Sequence, residues 1–563
     1  MSDSKKNTVI KNIFLDKRLL GAIVFFSFLA FLLLFKLIFS QIVEAEQYRD
    51  LALNTRTVSY KTTAKRGSIF DRNGNVLAYS VDTVTISANP NKISNKSQVS
   101  NEIFECIGGN AQEYFDLLNQ DSTFVYIKHN CDTEQSSNLK NKKIDGIYFD
   151  DDQKRIYPYG VNAGQIIGAV NIDGDGICGL ELYYNEVLKG TSGNTITQQG
   201  AGGMQIPGAT IQKSDSSDGQ DIMLTIDIEL QQKVEEYLTS YRSKVSAKSG
   251  HATVADPQTG EIYACASLPL FDPNNISNAE SGSTELKDVS STYEPGSTFK
   301  IVSAMAALEN NTFKPDDVIF CPYQLKAYEY SIKDAFDRGD ASMSFKEIIA
   351  RSSNVGISLI VEKLGFEKLY EKILKYNLNS KTNIDFPGDT TGYLTEPSEW
   401  SKIQAYNISF GQGITLTPMQ LMRFFCSIAN NGVEPTPHFL LKYLQSSNDV
   451  DYPSTDVVEN KQAIPSLIQM MRGVVDSESG TGTKARINGY GVAGKTGTAQ
   501  IADGSGRYIS GKYYSSFIGF LSTASTPLIC SCSMDVVENG SVTELFHQIM
   551  TFAISRYQIT PKG

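Results

Sequence analysis

In Tyr293-Glu294-Pro295-Gly296-Ser297-Thr298-Phe299-Lys300, Pro295 and Gly296 break whatever precedes them. The apolar residues that follow at helical spacing (Ile301, Val302, Ala304, Met305, Ala307, Leu308) predict a helix beginning at Ser297. Residues three apart share a helix face, so the Ser297 hydroxyl and the Lys300 amine are expected to meet near its positive end. Partial positive charge and burial disfavour an ammonium there and leave Lys300 able to act as a base toward Ser297. Alone, Ser-x-x-Lys is weak: Ser137-Asn138-Leu139-Lys140 also matches, and an N-capping serine beside a solvated lysine satisfies the same pattern.

A chain of 563 residues, 41% hydrophobic and 20% charged, has material for two or more folded units. A net charge of -11 argues against nucleic acid as a partner, because affinity for phosphates rests on clustered Lys and Arg. The eight cysteines form no C-x-x-C pair, Cys530 and Cys532 are expected on opposite faces of a strand, and the four histidines include no H-E-x-x-H. Neither a zinc site nor a redox motif is indicated. Cys106 with Cys131 is the pair to test for a disulfide if the chain is exported.

Lys5, Lys6, Lys11, Lys17 and Arg18 precede an apolar run from Leu19 to Phe39. That run is long enough to span a bilayer, with Lys36 snorkelling at the far end. Positive charge ahead of it keeps residues 1–18 cytoplasmic and puts everything after about residue 40 outside. Asn73-Gly74 between apolar runs signals a hairpin within Arg66 to Ala78. Asn171-Ile172-Asp173-Gly174-Asp175-Gly176 fits the start of a calcium loop, but Leu182 stands where the bidentate Glu belongs, and Gly179-Leu180-Glu181 reads better as a helix start. The Gly- and Ser-rich segment 190–219 reads as a connection between domains. From Gln220 the pattern is that of a compact domain: a hairpin around Pro257 to Gly260, a largely helical stretch to about 430, three strands, and a last helix from Thr543 to Tyr557. Strands at both ends with helices between imply an antiparallel sheet closed by the two ends of the domain.

Ser352-Ser353-Asn354 falls in a polar loop between two helical runs, although Ser136-Ser137-Asn138 and Ser446-Ser447-Asn448 match the same tripeptide. Lys495-Thr496-Gly497-Thr498 lies within a strand, where glycine is disfavoured unless something approaches the backbone closely, and a peptide laid along the strand would do so. The order Ser-x-x-Lys, Ser-x-Asn, Lys-Thr-Gly, each on the element its chemistry wants, resembles the penicilloyl serine transferases. The anchor, Arg66 to Ala78, Gly179-Leu180-Glu181, Phe410-Gly411-Gln412-Gly413 and Ser516-Phe517-Ile518-Gly519-Phe520 extend the resemblance to class B penicillin-binding proteins. Glu294 before Pro295, Asn354 and Thr496 look more like the division (FtsI-type) and sporulation members than the elongation enzyme.

The resemblance implies an α+β protein: a cytoplasmic tail (1–18), one transmembrane helix (19–39), an elongated non-catalytic pedestal of the dimerisation type (40–217), and a transpeptidase domain (218–563) with a central antiparallel sheet flanked by helices. It implies a serine D,D-transpeptidase of the inner membrane that cross-links peptidoglycan stem peptides ending in D-Ala-D-Ala, serves the septum and is acylated by β-lactams. Ser297 would be the nucleophile and Lys300 its base. Ser352 would relay a proton and Asn354 hold the stem's backbone. Lys495 would supply positive potential, Thr496 and Thr498 bind the terminal carboxylate, and Gly497 let the peptide approach. No metal or cofactor is needed. A SEDS-family glycosyltransferase and divisome proteins are the implied partners. Elongation or sporulation service, a hydrolytic relative, and a β-lactam sensor or scaffold are the alternatives.

Overall fold

The computed structural model describes residues 17–48, 57–199, 205–327, 329–446, 450–502, 508–536 and 541–562. They fall into two compact units, Met1–Ala64 with Thr191–Ser217, and Lys65–Gly190 with Asp218–Gly563.

In the first unit, helix Lys17–Ile38 runs on through a π turn, Phe39–Val43. The segment Leu19–Val43 is 25 residues long with mean hydropathy 2.7 and no part of it buried, long and apolar enough to cross a membrane and four residues longer than expected. Residues 1–16, most of the expected tail, lie outside the described residues. The same unit holds an antiparallel sheet with Gly193–Gln199 between Thr57–Thr62 and Gln205–Ser214. The segment read as a connection is thus largely strand. Its Thr- and Gln-rich strands lack the apolar alternation that would have marked them.

The second unit opens with a sheet ordered Leu440–Tyr443, Ile222–Leu224, Ile69–Phe70, Val76–Ala88, Val125–Cys131, with Ile147–Ile156 also pairing with Val76–Ala88. Because Leu440–Tyr443 completes this sheet, residues 65–190 pack as one body with the chain that follows. The Asn73-Gly74 hairpin forms as expected. Asp71 Oδ1 accepts from Asn73 N (2.9 Å) and Asn75 N (2.8 Å), and its Oδ2 accepts from Ile228 N (3.2 Å). Arg66 and Glu181, far apart in sequence, meet in a buried cluster. Arg66 Nε and Arg155 Nε each donate to the Glu181 carboxylate at 2.7 Å, and Glu181 is wholly buried. In the loop that resembled a calcium site, Asn171 Oδ1 accepts from Asp173 N and Asp175 N, and Asp175 pairs with Lys189. Cys106 and Cys131 are free thiols.

The five-stranded sheet of this unit consists of β1 (Gly250–Ala255), β2 (Ile262–Ser267), β3 (Val492–Ala502), β4 (Tyr508–Leu521) and β5 (Ile529–Val536), in the order β2-β1-β5-β4-β3 and antiparallel throughout. The expected α+β class holds, and the two ends of the domain do close one sheet. Helices α1 (Ile228–Val245) and α4 (Thr543–Arg556) share a core with Val254, Phe517, Cys530 and Cys532. Cys530 and Cys532 therefore lie on one face, not opposite faces, because residues two apart in a strand point the same way. On the other side, Ala255, Cys265, Ile518 and Phe520 join the core that holds α2 (Lys300–Glu309). Every residue of α2 is buried. Between residues 318 and 344 the expected helical stretch is interrupted by two strand pairs, Val318–Cys321 with Ala341–Ser344 and Gln324–Ala327 with Tyr330–Lys333.

Candidate active site

Ser297 is not the first residue of an α-helix. Gly296–Phe299 makes a 3-10 turn that feeds into α2, tightened by Thr298 Oγ1 donating to Pro295 O at 2.7 Å. The turn is held from behind by Phe410–Gly413: Gly296 N donates to Gly411 O (2.9 Å) and Gly413 N to Glu294 Oε1 (2.8 Å). Gly411 has φ +82°, and a Cβ there would stand 2.3 Å from Gly296 O, so the position demands glycine.

Lys300, on the first turn of α2, is fully buried, and its hydrogen bonds go to the Ser352–Asn354 loop rather than to Ser297. Nζ lies 2.6 Å from Ser352 O, 2.6 Å from Asn354 Oδ1 and 3.2 Å from Ser352 Oγ. Lys495, on β3 and equally buried, donates to the same Ser352 Oγ at 2.8 Å and to Thr496 O at 3.1 Å. One hydroxyl thus bridges two lysines, presented by a serine in the left-handed region (φ +62°). Two of the three groups around Lys300 Nζ are pure acceptors, whereas Ser352 Oγ can also donate. A neutral Lys300 therefore gives its two N–H bonds to Ser352 O and Asn354 Oδ1 and takes the Ser352 hydroxyl proton on its lone pair, while Lys495 donates to that hydroxyl from behind.

The electrostatics agree. Burial pushes the Lys300 amine down from its ordinary 10.5 to about 7, against an upward pull from Asp334. Lys495 is held well below its ordinary value by burial and then by Lys300. Two buried ammonium ions sharing one hydroxyl repel, so protonation of either amine disfavours protonation of the other.

Asp334 was not singled out from the sequence, yet it fixes the loop. Its carboxylate accepts from Ser353 Oγ (2.9 Å), Val355 N (3.0 Å) and Arg338 Nε (2.5 Å). Only the unexpected strand Tyr330–Lys333, ending one residue before it, would have flagged it. Thr481 is a second such residue, its hydroxyl 2.6 Å from that of Thr496. Gly497 also has a reason the sequence did not suggest. A Cβ there would meet Ser516 Oγ at 2.3 Å, Thr298 Cγ2 at 3.0 Å and Pro295 O at 3.3 Å. What approaches Gly497 most closely is Ser516 on the neighbouring strand β4, and behind it the Pro295–Thr298 turn.

Ser297, Ser352, Asn354, Thr496, Gly497 and Thr498 all line one cleft of about 500 Å³, and Lys300 and Lys495 are joined to it from beneath through Ser352. All eight residues singled out from the sequence are brought together. Of the duplicate motifs, Ser137 and Lys140 sit on the separate helix Thr133–Asn141, and Ser447 and Asn448 lie outside the described residues.

Residues 250–551 match the penicillin-binding protein transpeptidase domain, and residues 61–224 the penicillin-binding protein dimerisation domain. The chain is similar to the peptidoglycan D,D-transpeptidase FtsI of Buchnera aphidicola subsp. Schizaphis graminum, 30% identical over 99% of this chain and 98% of that one. It is likewise similar to the stage V sporulation protein D of Bacillus subtilis, 28% identical over 93% and 82%. Among solved structures, penicillin-binding protein 3 of Mycobacterium tuberculosis in complex with aztreonam superposes with a TM-score of 0.70 at 25% identity, over 90% of this chain and 98% of that one. With a membrane-anchoring helix first, a dimerisation region next and a serine and two lysines in one cleft after it, the chain belongs to the penicillin-binding protein transpeptidases.

Proposed function

We propose that this chain is a septal peptidoglycan D,D-transpeptidase that works through an acyl-enzyme on Ser297. The observation that carries the reading is the hydroxyl of Ser352 held between two buried lysines beside Ser297. Ser297 Oγ attacks the carbonyl of the penultimate D-Ala of a stem peptide, and its proton passes to neutral Lys300, whose lone pair turns from Ser352 Oγ to receive it. The tetrahedral oxyanion is held by the backbone N–H groups of Ser297 and Thr498, an interaction commonly worth about 3–4 kcal/mol per donor. The C–N bond then breaks, and the proton returns through Ser352 to the departing D-Ala amine. An amine of a neighbouring stem attacks the ester and gives its proton to Lys300, which passes it to the departing Ser297 Oγ, leaving the serine free, the lysine neutral and the two stems joined. Asn354 steadies the donor's backbone. Thr496 and Thr498 hydroxyls receive the terminal carboxylate, whose charge favours the ammonium form of Lys495 and through it the neutral form of Lys300.

A β-lactam presents the same carbonyl and acylates Ser297. The basic N-terminus orients the helix with its tail in the cytoplasm, which puts residues 40–217, the pedestal, and 218–563, the transpeptidase domain, outside the inner membrane. The partners in this reading are a SEDS-family glycosyltransferase and divisome proteins. The likeness to a sporulation protein supports a second reading, the same chemistry during sporulation.

The test is labelling of the full chain, in detergent, with a fluorescent penicillin. Stable label that is absent in Ser297→Ala supports the transpeptidase. Label shed within seconds makes the chain a hydrolase, and no label on folded protein overturns the assignment. Depletion in cells then separates filamentation from failure of spores.

A further inference from the structure

Among the described residues that line the cleft, the one charged side chain is Arg351, and none is Asp or Glu. Lys495 lies beneath the β3 wall, so Arg351 is the charged group on the opposite side of the cleft. Arg351 follows helix Phe345–Ala350 and directly precedes Ser352. It is half-buried and its Nε is buried without a hydrogen-bond partner. The carboxylate one turn back, Glu347, is committed elsewhere. It accepts from Ser344 N (2.8 Å) and Ser344 Oγ (2.7 Å), which chiefly hold it below the usual carboxylate range, and Arg351 adds to that through its charge without a hydrogen bond to it. A guanidinium partly withdrawn from water and left without an acceptor is costly unless something else supplies one.

The terminal carboxylate of a bound peptide is already provided for on the β3 wall by Thr496, Thr498 and Lys495. Arg351 belongs to the Ser352–Asn354 side of the cleft, so it is a second point of positive charge. We infer that Arg351 is a specificity-determining residue that binds a second carboxylate on the stem peptide, a free acid on a side chain rather than at the C-terminus. A planar fork of N–H donors matches a carboxylate with two parallel bonds, which a carboxamide cannot reproduce because half of it is a donor. The substrate class follows: stem peptides with a free acidic side group are taken, and amidated ones are discriminated against. This inference rests on the transpeptidase reading.

The test uses full-length protein in detergent and two D-Ala-D-Ala pentapeptides that differ only in a side-chain carboxylate or carboxamide. Each peptide is scored by how well it protects Ser297 from fluorescent penicillin. Wild type is expected to bind the acid about tenfold more tightly than the amide, Arg351→Gln to lose that preference through weaker binding of the acid alone, and Arg351→Lys to recover part of it. Equal protection by the two peptides in wild type, no protection by either, or equal weakening of both by Arg351→Gln overturns the inference. Failure of wild type to take the label in a Ser297-dependent way would instead overturn the parent reading.

Discussion

Acylation of Ser297 by penicillin is expected to fall away on the acid side of neutrality, with a midpoint set by Lys300. Burial takes this amine from its ordinary 10.5 to about 7, a differential cost of about 5 kcal/mol borne by the ammonium form. At pH 7 about half of the molecules then hold a neutral base, where an exposed lysine would offer about 1 in 3000. Below the midpoint each pH unit removes a factor of about ten, so the acylation rate constant drops about 100-fold from pH 8 to pH 5. Because Lys495 shares the hydroxyl, the limb belongs to the pair. Asp334 is the group that pulls Lys300 upward, so Asp334→Asn moves the limb to lower pH while slowing acylation through a loosened Ser353–Val355 loop. The assay is stopped-flow labelling of full-length protein between pH 5 and pH 9 at constant ionic strength. A rate flat across that range, or one still climbing tenfold per unit at pH 9, refutes the reasoning. The linked stability has a definite sign. With its folded value depressed, Lys300 binds fewer protons folded than unfolded between pH 7 and 10.5, so its penalty is full below 7 and relieved as pH rises to 10.5. Thermal melting of wild type against Lys300→Met should show that difference.

Gly497→Ala places a methyl against Ser516 Oγ and the nucleophile turn, and is expected to slow penicillin labelling at least about tenfold (about 1.4 kcal/mol) in folded protein, with partial rescue by Ser516→Gly. Unchanged labelling would show that the turn and β3 can separate at no cost. Glu181→Gln leaves Arg66 and Arg155 buried around a neutral amide, and chemical denaturation should register a loss of about 3–5 kcal/mol. A change under about 1 kcal/mol would mean that the cluster is hydrated.

The sequence carried the site further than it carried the fold around it. Each motif was legible because its residues are close in sequence and its element type follows from local pattern: a glycine before a helical run, a polar loop between helices, a Lys-Thr-Gly inside a strand. What local pattern cannot show is which distant segment packs where. Ser297 stands on a 3-10 turn because Phe410–Gly413 grips it, and Gly497 is small because Ser516 across the sheet and then Thr298 and Pro295 lie against it. Asp334 gains its place only after the pairing of Gln324–Ala327 with Tyr330–Lys333, four-residue strands too short for periodicity to register. Strands Gly193–Gln199 and Gln205–Ser214 escaped notice for the opposite reason. They are long enough, but neither shows a dry face in its composition.

The closure of one sheet by both ends of the domain also times the chemistry. Ser352 and Lys495 are 143 positions apart, and at about 5–20 residues per second a ribosome takes roughly 7–30 s to travel from one to the other. During that interval Ser297, Lys300 and the Ser352–Asn354 loop exist but β3 does not, so the cleft lacks the wall that carries Lys495, Thr496 and Thr498. The site is complete only when the last strands have arrived.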